Sequence, residues 1–317
     1  MAGKALGVAG EATGVTTEAV DQARASADAP DASGRAGRSR TTLPGRSLLH
    51  EARGAKIVWQ REMIRFWQDR SRIVISLLQP VLFLFVLGTG LSSLVSNSTG
   101  GVSLRTFMFP GVLAMSTMFI ALFSAGSLVW DREFGFLREM LVAPVSRASI
   151  LIGKAVGGAS VATIPGVLML ALAGVVGVPY SPMLMLTLVV ELLLLSFVLT
   201  VVGLVLAGRM KQIQTFMAMT QLFVLPMLFL SGAMFPLTNL PAWLHVLTRI
   251  NPLTYAVDPM RRAVFDHLDV STLARARLSP GVTWGSWTVP IGVELLVVLG
   301  IGVALLAVAV ASFNRTE

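Results

Sequence analysis

The chain has 317 residues, of which 54% are hydrophobic and 13% charged, about half the charged share of an average soluble domain. That balance excludes an ordinary soluble globule and points to repeated bilayer crossings, each needing roughly 20 apolar residues. Cysteine is absent, and the three histidines, His50, His245 and His267, are scattered without carboxylates at ligand spacing, so disulfides, thiolate sites and other metal sites are not expected. The formal charge of +8 fits loops held in the cytoplasm rather than nucleic-acid binding, because the arginines flank apolar runs and no basic stripe carries stacking aromatics.

Residues 1–46 are rich in Ala, Gly, Ser, Thr and Asp and lack apolar periodicity, which predicts a disordered cytoplasmic tail. No apolar central run marks a signal peptide. Residues 47–72 read as an amphipathic helix. Ile57, Trp59, Met63, Ile64, Phe66 and Trp67 share one half of the helical wheel, and Arg61, Glu62, Arg65, Asp69 and Arg72 the other. The helix is too polar to span and is expected to lie in the membrane interface, the alternative being a soluble partner.

Six apolar runs of spanning length follow, at about 73–95, 107–129, 148–176, 183–207, 216–235 and 289–313. Pro80, Pro110, Pro165 and Pro226 fall within them or at their ends, as lipid-embedded helices tolerate. The fold class expected is an all-α membrane protein with six transmembrane helices. Basic residues set its orientation. Arg35–Arg72, the Arg132–Arg147 connection and Arg209–Lys211 are basic, whereas the alternate connections hold Arg105 alone or no charge. Both termini are therefore expected in the cytoplasm. The stretch 236–288, placed outside, carries five arginines partly balanced by Asp258, Asp266 and Asp269, and is near the length at which the rule weakens.

Two connections are organised beyond simple linkers. In 130–147, Phe134, Leu137, Met140 and Leu141 recur at helical spacing while Arg132, Arg138 and Glu139 are left exposed. This predicts a short cytoplasmic helix stopped near Pro144, suited to a groove on a soluble partner. The stretch 235–265 alternates proline-limited turns with short apolar helices, Trp243 suiting the outer interface. Residues 132–154, REFGFLREMLVAPVSRASILIGK, and 251–262, NPLTYAVDPMRR, resemble the two hallmark stretches of ABC-2 type permeases, the membrane subunits of one class of ATP-binding-cassette exporters. Within that family the resemblance is to the daunorubicin-resistance (DrrB-like) drug exporters. It runs from about Leu48 to the C-terminus. Phe136, Arg138 and Ala143 depart from the usual Thr, Glu, and Ser or Thr, and Arg138 reverses a charge at the presumed partner contact.

The resemblance implies a permease dimer, expected as a homodimer, docked on two ATP-binding subunits. It makes Trp59, Met63, Phe66 and Trp67 part of a connecting helix. Glu133, Gly135, Leu137, Leu141, Pro144 and Arg147 become the coupling segment, and Asn251, Pro252, Tyr255, Asp258 and Arg261 an external gate. No G-x-x-x-x-G-K-[ST] occurs in the sequence, so no nucleotide cofactor is expected in this chain and ATP with Mg falls to the partner subunit. The intramembrane Glu191 and Glu294, with Gln221, are candidates for the substrate pathway, or else join helices by hydrogen bonds or as protonated carboxyls. Arg261 and Arg262 either meet outer-leaflet headgroups or cap their own helix. The expected cargo is a hydrophobic or amphiphilic small molecule such as a drug, antibiotic or lipid. A polysaccharide or lipid-linked glycan is the alternative, and an ion-coupled secondary transporter the rival class.

Overall fold

A computed structural model describes residues 48–90, 102–142, 145–237, 241–284 and 287–316. The expected tail at 1–46, the end of the first run beyond Gly90, and Pro144 lie outside the described residues. The described chain is almost entirely helical. Helix α1 (Leu48–Gln68) breaks at Asp69, and α2 (Arg70–Leu82) then widens into a π turn at Phe83–Leu87 before ending at Gly90. The π turn follows Pro80, which has no N–H to give the preceding turn. Helix α3 spans Leu104–Glu133, α4 Phe136–Val142, α5 Arg147–Leu170, α6 Pro182–Gly208 and α7 Ile213–Leu230. Three short helices follow, α8 (Ala242–Ile250), α9 (Thr254–Asp266) and α10 (Thr272–Leu278). A two-residue hairpin, β1 (Thr283–Trp284) with β2 (Trp287–Thr288), leads into α11 (Ile291–Thr316).

Six helices have the length and hydropathy of membrane spans: Ile73–Gly90, α3, α5, α6, α7 and Ile291–Asn314 of α11. Among the described residues, three helix ends differ from the sequence expectation by four residues or more, and one of them is α7, which stops at Leu230 rather than 235. Helix α3 runs four residues beyond 129, reaching Glu133. At ~1.5 Å per residue its 30 residues are longer than a ~30 Å hydrocarbon core. The third helix stops at Leu170 rather than 176, because the chain turns through a 3-10 segment at Gly174–Val176 into left-handed Gly177.

Helices α3, α5 and α6 pack on one another as the centre of the bundle, with α1 along α5, α11 on α6, and α2 and α7 on α3. Burial of the spanning windows follows this arrangement, at 83%, 72% and 61% for α3, α5 and α6, against 17%, 22% and 17% for α2, α7 and α11. Small residues set the closest approaches. A methyl group on Gly153 would lie 2.6 Å from the Ala55 carbonyl oxygen and 2.7 Å from Val58 Cβ, so α1 lies on α5 only because that residue is glycine.

Candidate functional site

Functional side chains gather at opposite ends of the bundle. At the α4 end, α3 turns through Gly135, whose φ of +83° suits glycine, into the seven-residue α4. Leu137 is buried among Leu128, Leu151 and Phe216 and anchors this corner. Phe134, Phe136 and Val142 are 59%, 50% and 87% exposed. Phe134 therefore does not lie on the buried face expected for it: it follows the last turn of α3 and stacks on Trp130 at 5.7 Å. Arg132 is not a free surface cation either. It donates to the carbonyls of Ala207 (3.1 Å) and Met210 (2.6 Å) at the end of α6, where a cation meets the negative end of the helix. The Glu133 carboxylate accepts the Ile213 N–H at 2.9 Å and so holds the start of α7. Arg147 donates to the Asn314 carbonyl at 3.2 Å.

Behind α4 lies a buried ion network that the sequence reading missed. Lys154 of α5, 2% exposed, donates to Glu62 of α1 (3.0 Å), Asp131 of α3 (2.7 Å) and Ser127 (2.9 Å). Asp131 also accepts both arms of Arg61, at 2.7 and 3.2 Å. The hydrogen bond to Asp131 raises the Arg61 pKa above its usual value. Glu62, assigned by periodicity to the exposed half of α1, is 6% exposed instead, because it meets the lysine of a second helix. The only sequence signal was a lysine just inside an apolar run. Ion pairs at this depth hold only as a complete set, since each charge left unmatched is costly.

The connecting-helix residues divide accordingly. Phe66 is buried, Met63 packs at the core margin, and Trp59 donates its indole N–H to Ser160 at 3.1 Å. Trp67, Ile57 and Ile64 are exposed. Two hollows flank this helix. One, of about 320 Å³, is walled by Phe66, Ile120, Phe123, Trp130 and Met217, with Glu62, Arg65 and Asp69 as its charged edge. The other, an open groove of about 520 Å³, runs between Ile57, Arg61 and Ile64 of α1 and Trp130 and Phe136.

At the other end, α9 carries most of the expected gate. Asn251 donates to the Met227 carbonyl at 2.7 Å and accepts the Leu253 N–H at 3.0 Å, tying the start of α9 to α7. Pro252 follows in this turn. Tyr255 is buried and its hydroxyl accepts the indole N–H of Trp284 at 3.1 Å. Arg261 is buried, donates to the Gly232 carbonyl and lies 4.4 Å over the Phe107 ring. Arg262 pairs with Asp258 (2.6 Å) and Glu294 (3.0 Å) and donates to the Val289 carbonyl (2.9 Å). Arg261 is 3% exposed, and Arg262 is held within this ion-pair cluster. Glu294 is a partner of Arg262 at the head of α11.

Glu191 is 2% exposed within α6, and neither of its oxygens has a hydrogen-bond partner; it is not a hydrogen-bonded joint between helices. Gln221 points outward from α7 and makes no hydrogen bond among the described residues. The structure does not bring it together with Glu294, which belongs to the Arg262 cluster. Among the described residues, no group of three metal-ligating side chains occurs.

The comparisons agree with this architecture. Residues 53–265 match the family model for the ABC-2 type transporter, and the chain belongs to that family. It is similar to ycf38 of Cyanophora paradoxa, which bears the name of a transport permease, at 33% identity over 65% of this chain and 72% of the relative. Nodulation protein J of Rhizobium leguminosarum bv. trifolii is 30% identical over 73% of this chain and 87% of its own length. YbhR of Escherichia coli, named as a multidrug ABC transporter permease, is 31% identical over 49% of this chain and 42% of its own length. The protein is therefore a multi-pass membrane permease of the ABC-2 type.

Proposed function

We propose that the chain is the pathway-forming subunit of an exporter of the drug-resistance type. It moves a hydrophobic or amphiphilic small molecule across the cytoplasmic membrane and is driven by a separate ATP-binding subunit that holds ATP and Mg. The observation that carries this reading is the groove between α1 and α4. Phe136, Ile57 and Ile64 stand open there beside Gln60, Arg61 and Gln68, and an exposed apolar surface rimmed by polar residues marks a contact site. Directly behind it, the Lys154 network joins α1, α3 and α5, so a push on α4 moves three helices together. In this reading the α4 end and both termini are cytoplasmic, α1 lies at the interface, and Glu133, Gly135 and Arg147 hold the coupling corner against α7 and α11.

Two further features fit. The hollow beside α1 has mostly apolar walls, with Arg65 and Asp69 at its polar edge, a lining suited to an amphiphilic molecule, and its size falls at the lower end of small-molecule sites. Gln79 and Gln221 are exposed on α2 and α7, and polar side chains on spanning helices favour a partner in lipid. A second copy of the chain completes the assembly.

The test pairs the full chain with an ATP-binding subunit in inverted vesicles and follows a fluorescent lipophilic cation. ATP-dependent accumulation is expected, and F136D combined with V142D should abolish it while leaving insertion intact. Unchanged accumulation by that variant, or transport by the permease without the ATPase, would overturn the reading.

A further inference from the structure

At the α9 end a cavity of about 260 Å³ opens between α8, α9 and the segment 280–283. Its walls include His245 and Arg249 from α8, and Asp258 and Arg261 from α9. Most polar groups here are already spent. Asp258 is engaged by Arg262 at 2.6 Å and by the Val282 N–H at 3.2 Å. The hydroxyls of Ser231, Thr248 and Thr254 donate to the carbonyls of Leu228, His245 and Leu230.

Two guanidinium nitrogens are without an acceptor, the Nε of Arg261 and the Nε of Arg249, and both are enclosed. Arg261 is only 3% exposed. Burial lowers its pKa to about 10, opposed by Asp258, so it remains a cation at neutral pH. A buried charged donor without an acceptor is costly, and such a cost persists where a ligand supplies the acceptor. The stretch 236–288 carries five arginines, Arg249, Arg261, Arg262, Arg275 and Arg277, against Asp258, Asp266 and Asp269 with Glu294 beside them, which leaves a surplus of one positive charge.

We infer that this cavity binds a phosphate-type oxyanion, gripped by Arg249 and Arg261 from two different helices. Two guanidinium forks approaching from separate elements suit a tetrahedral anion with several oxygens. The same chemistry is offered by a phospholipid headgroup and by free phosphate. The exposed apolar side chains of α8, Trp243, Val246 and Ile250, lie on the side of the helix turned away from this cavity.

The experiment uses the purified full chain in detergent, without an ATP-binding subunit, so that its failure leaves the export reading untouched. Phosphatidylglycerol is titrated and followed by native mass spectrometry, and inorganic phosphate is titrated by calorimetry. Saturable binding of either probe at one per chain is expected, and the probe that binds identifies the source. R249Q should weaken that binding about tenfold or more, as the loss of a charge-assisted contact does, and R249K should restore part of it. Because R261Q also removes the Gly232 contact, it is read beside its own unfolding midpoint. Absence of saturable binding by both probes, or equal affinity in the parent and R249Q, would overturn the assignment.

Discussion

Lys154 illustrates how much can rest on one side chain. Its ammonium group pairs with the buried carboxylates of Glu62 and Asp131. K154M should therefore leave two buried carboxylates facing one half-exposed arginine, at a cost of about 3–5 kcal/mol. Denaturant unfolding in detergent would show the loss, and E62Q added to K154M should recover part of it. Glu133 plays a smaller part, accepting the first N–H of α7. E133Q should cost about 1 kcal/mol, and a charge swap to Lys should uncouple ATP hydrolysis from export in the assembled transporter while the chain still inserts.

At the scale of elements, the corner between α3 and α4 depends on backbone conformation alone. Gly135 sits at φ +83°, and a methyl group there would meet no atom within 4 Å. G135A should thus lose about 1 kcal/mol through conformational strain without any clash, and G135N less, because Asn tolerates the left-handed region. A ranking of unfolding midpoints with the parent highest, then Asn, then Ala, would confirm it. The α1–α5 contact behaves oppositely. At Gly153 space is the constraint, so G153V should displace α1 and break the Lys154–Glu62 pair, seen as lost protection of α1 amides from exchange.

For the whole molecule, the proposed topology places α4 and α8 on opposite sides of the membrane. The absence of cysteine makes the check direct. V142C, at a position 87% exposed, should react with an impermeant thiol reagent only from the cytoplasmic side, and I250C, 71% exposed, only from outside. Labelling of position 142 from outside would remove the basis for an ATPase docking at α4.

Composition and the length of apolar runs were enough to determine six spans, their order and the amphipathic α1, because an apolar run of ~20 residues satisfies its backbone in lipid as a helix, within its own segment. The two hallmark stretches located α4 and α9. What tertiary structure decided is which polar residues within those helices meet. Helical periodicity describes a face but not its neighbour, so Glu62 read as exposed until α5 supplied Lys154, and the pairing of Glu294 with Arg262 came into view only once α9 was in place. The unspent donors of Arg249 and Arg261 became visible only when α8 and α9 closed around one cavity, since whether a polar group is satisfied depends on atoms distant in sequence and adjacent in space.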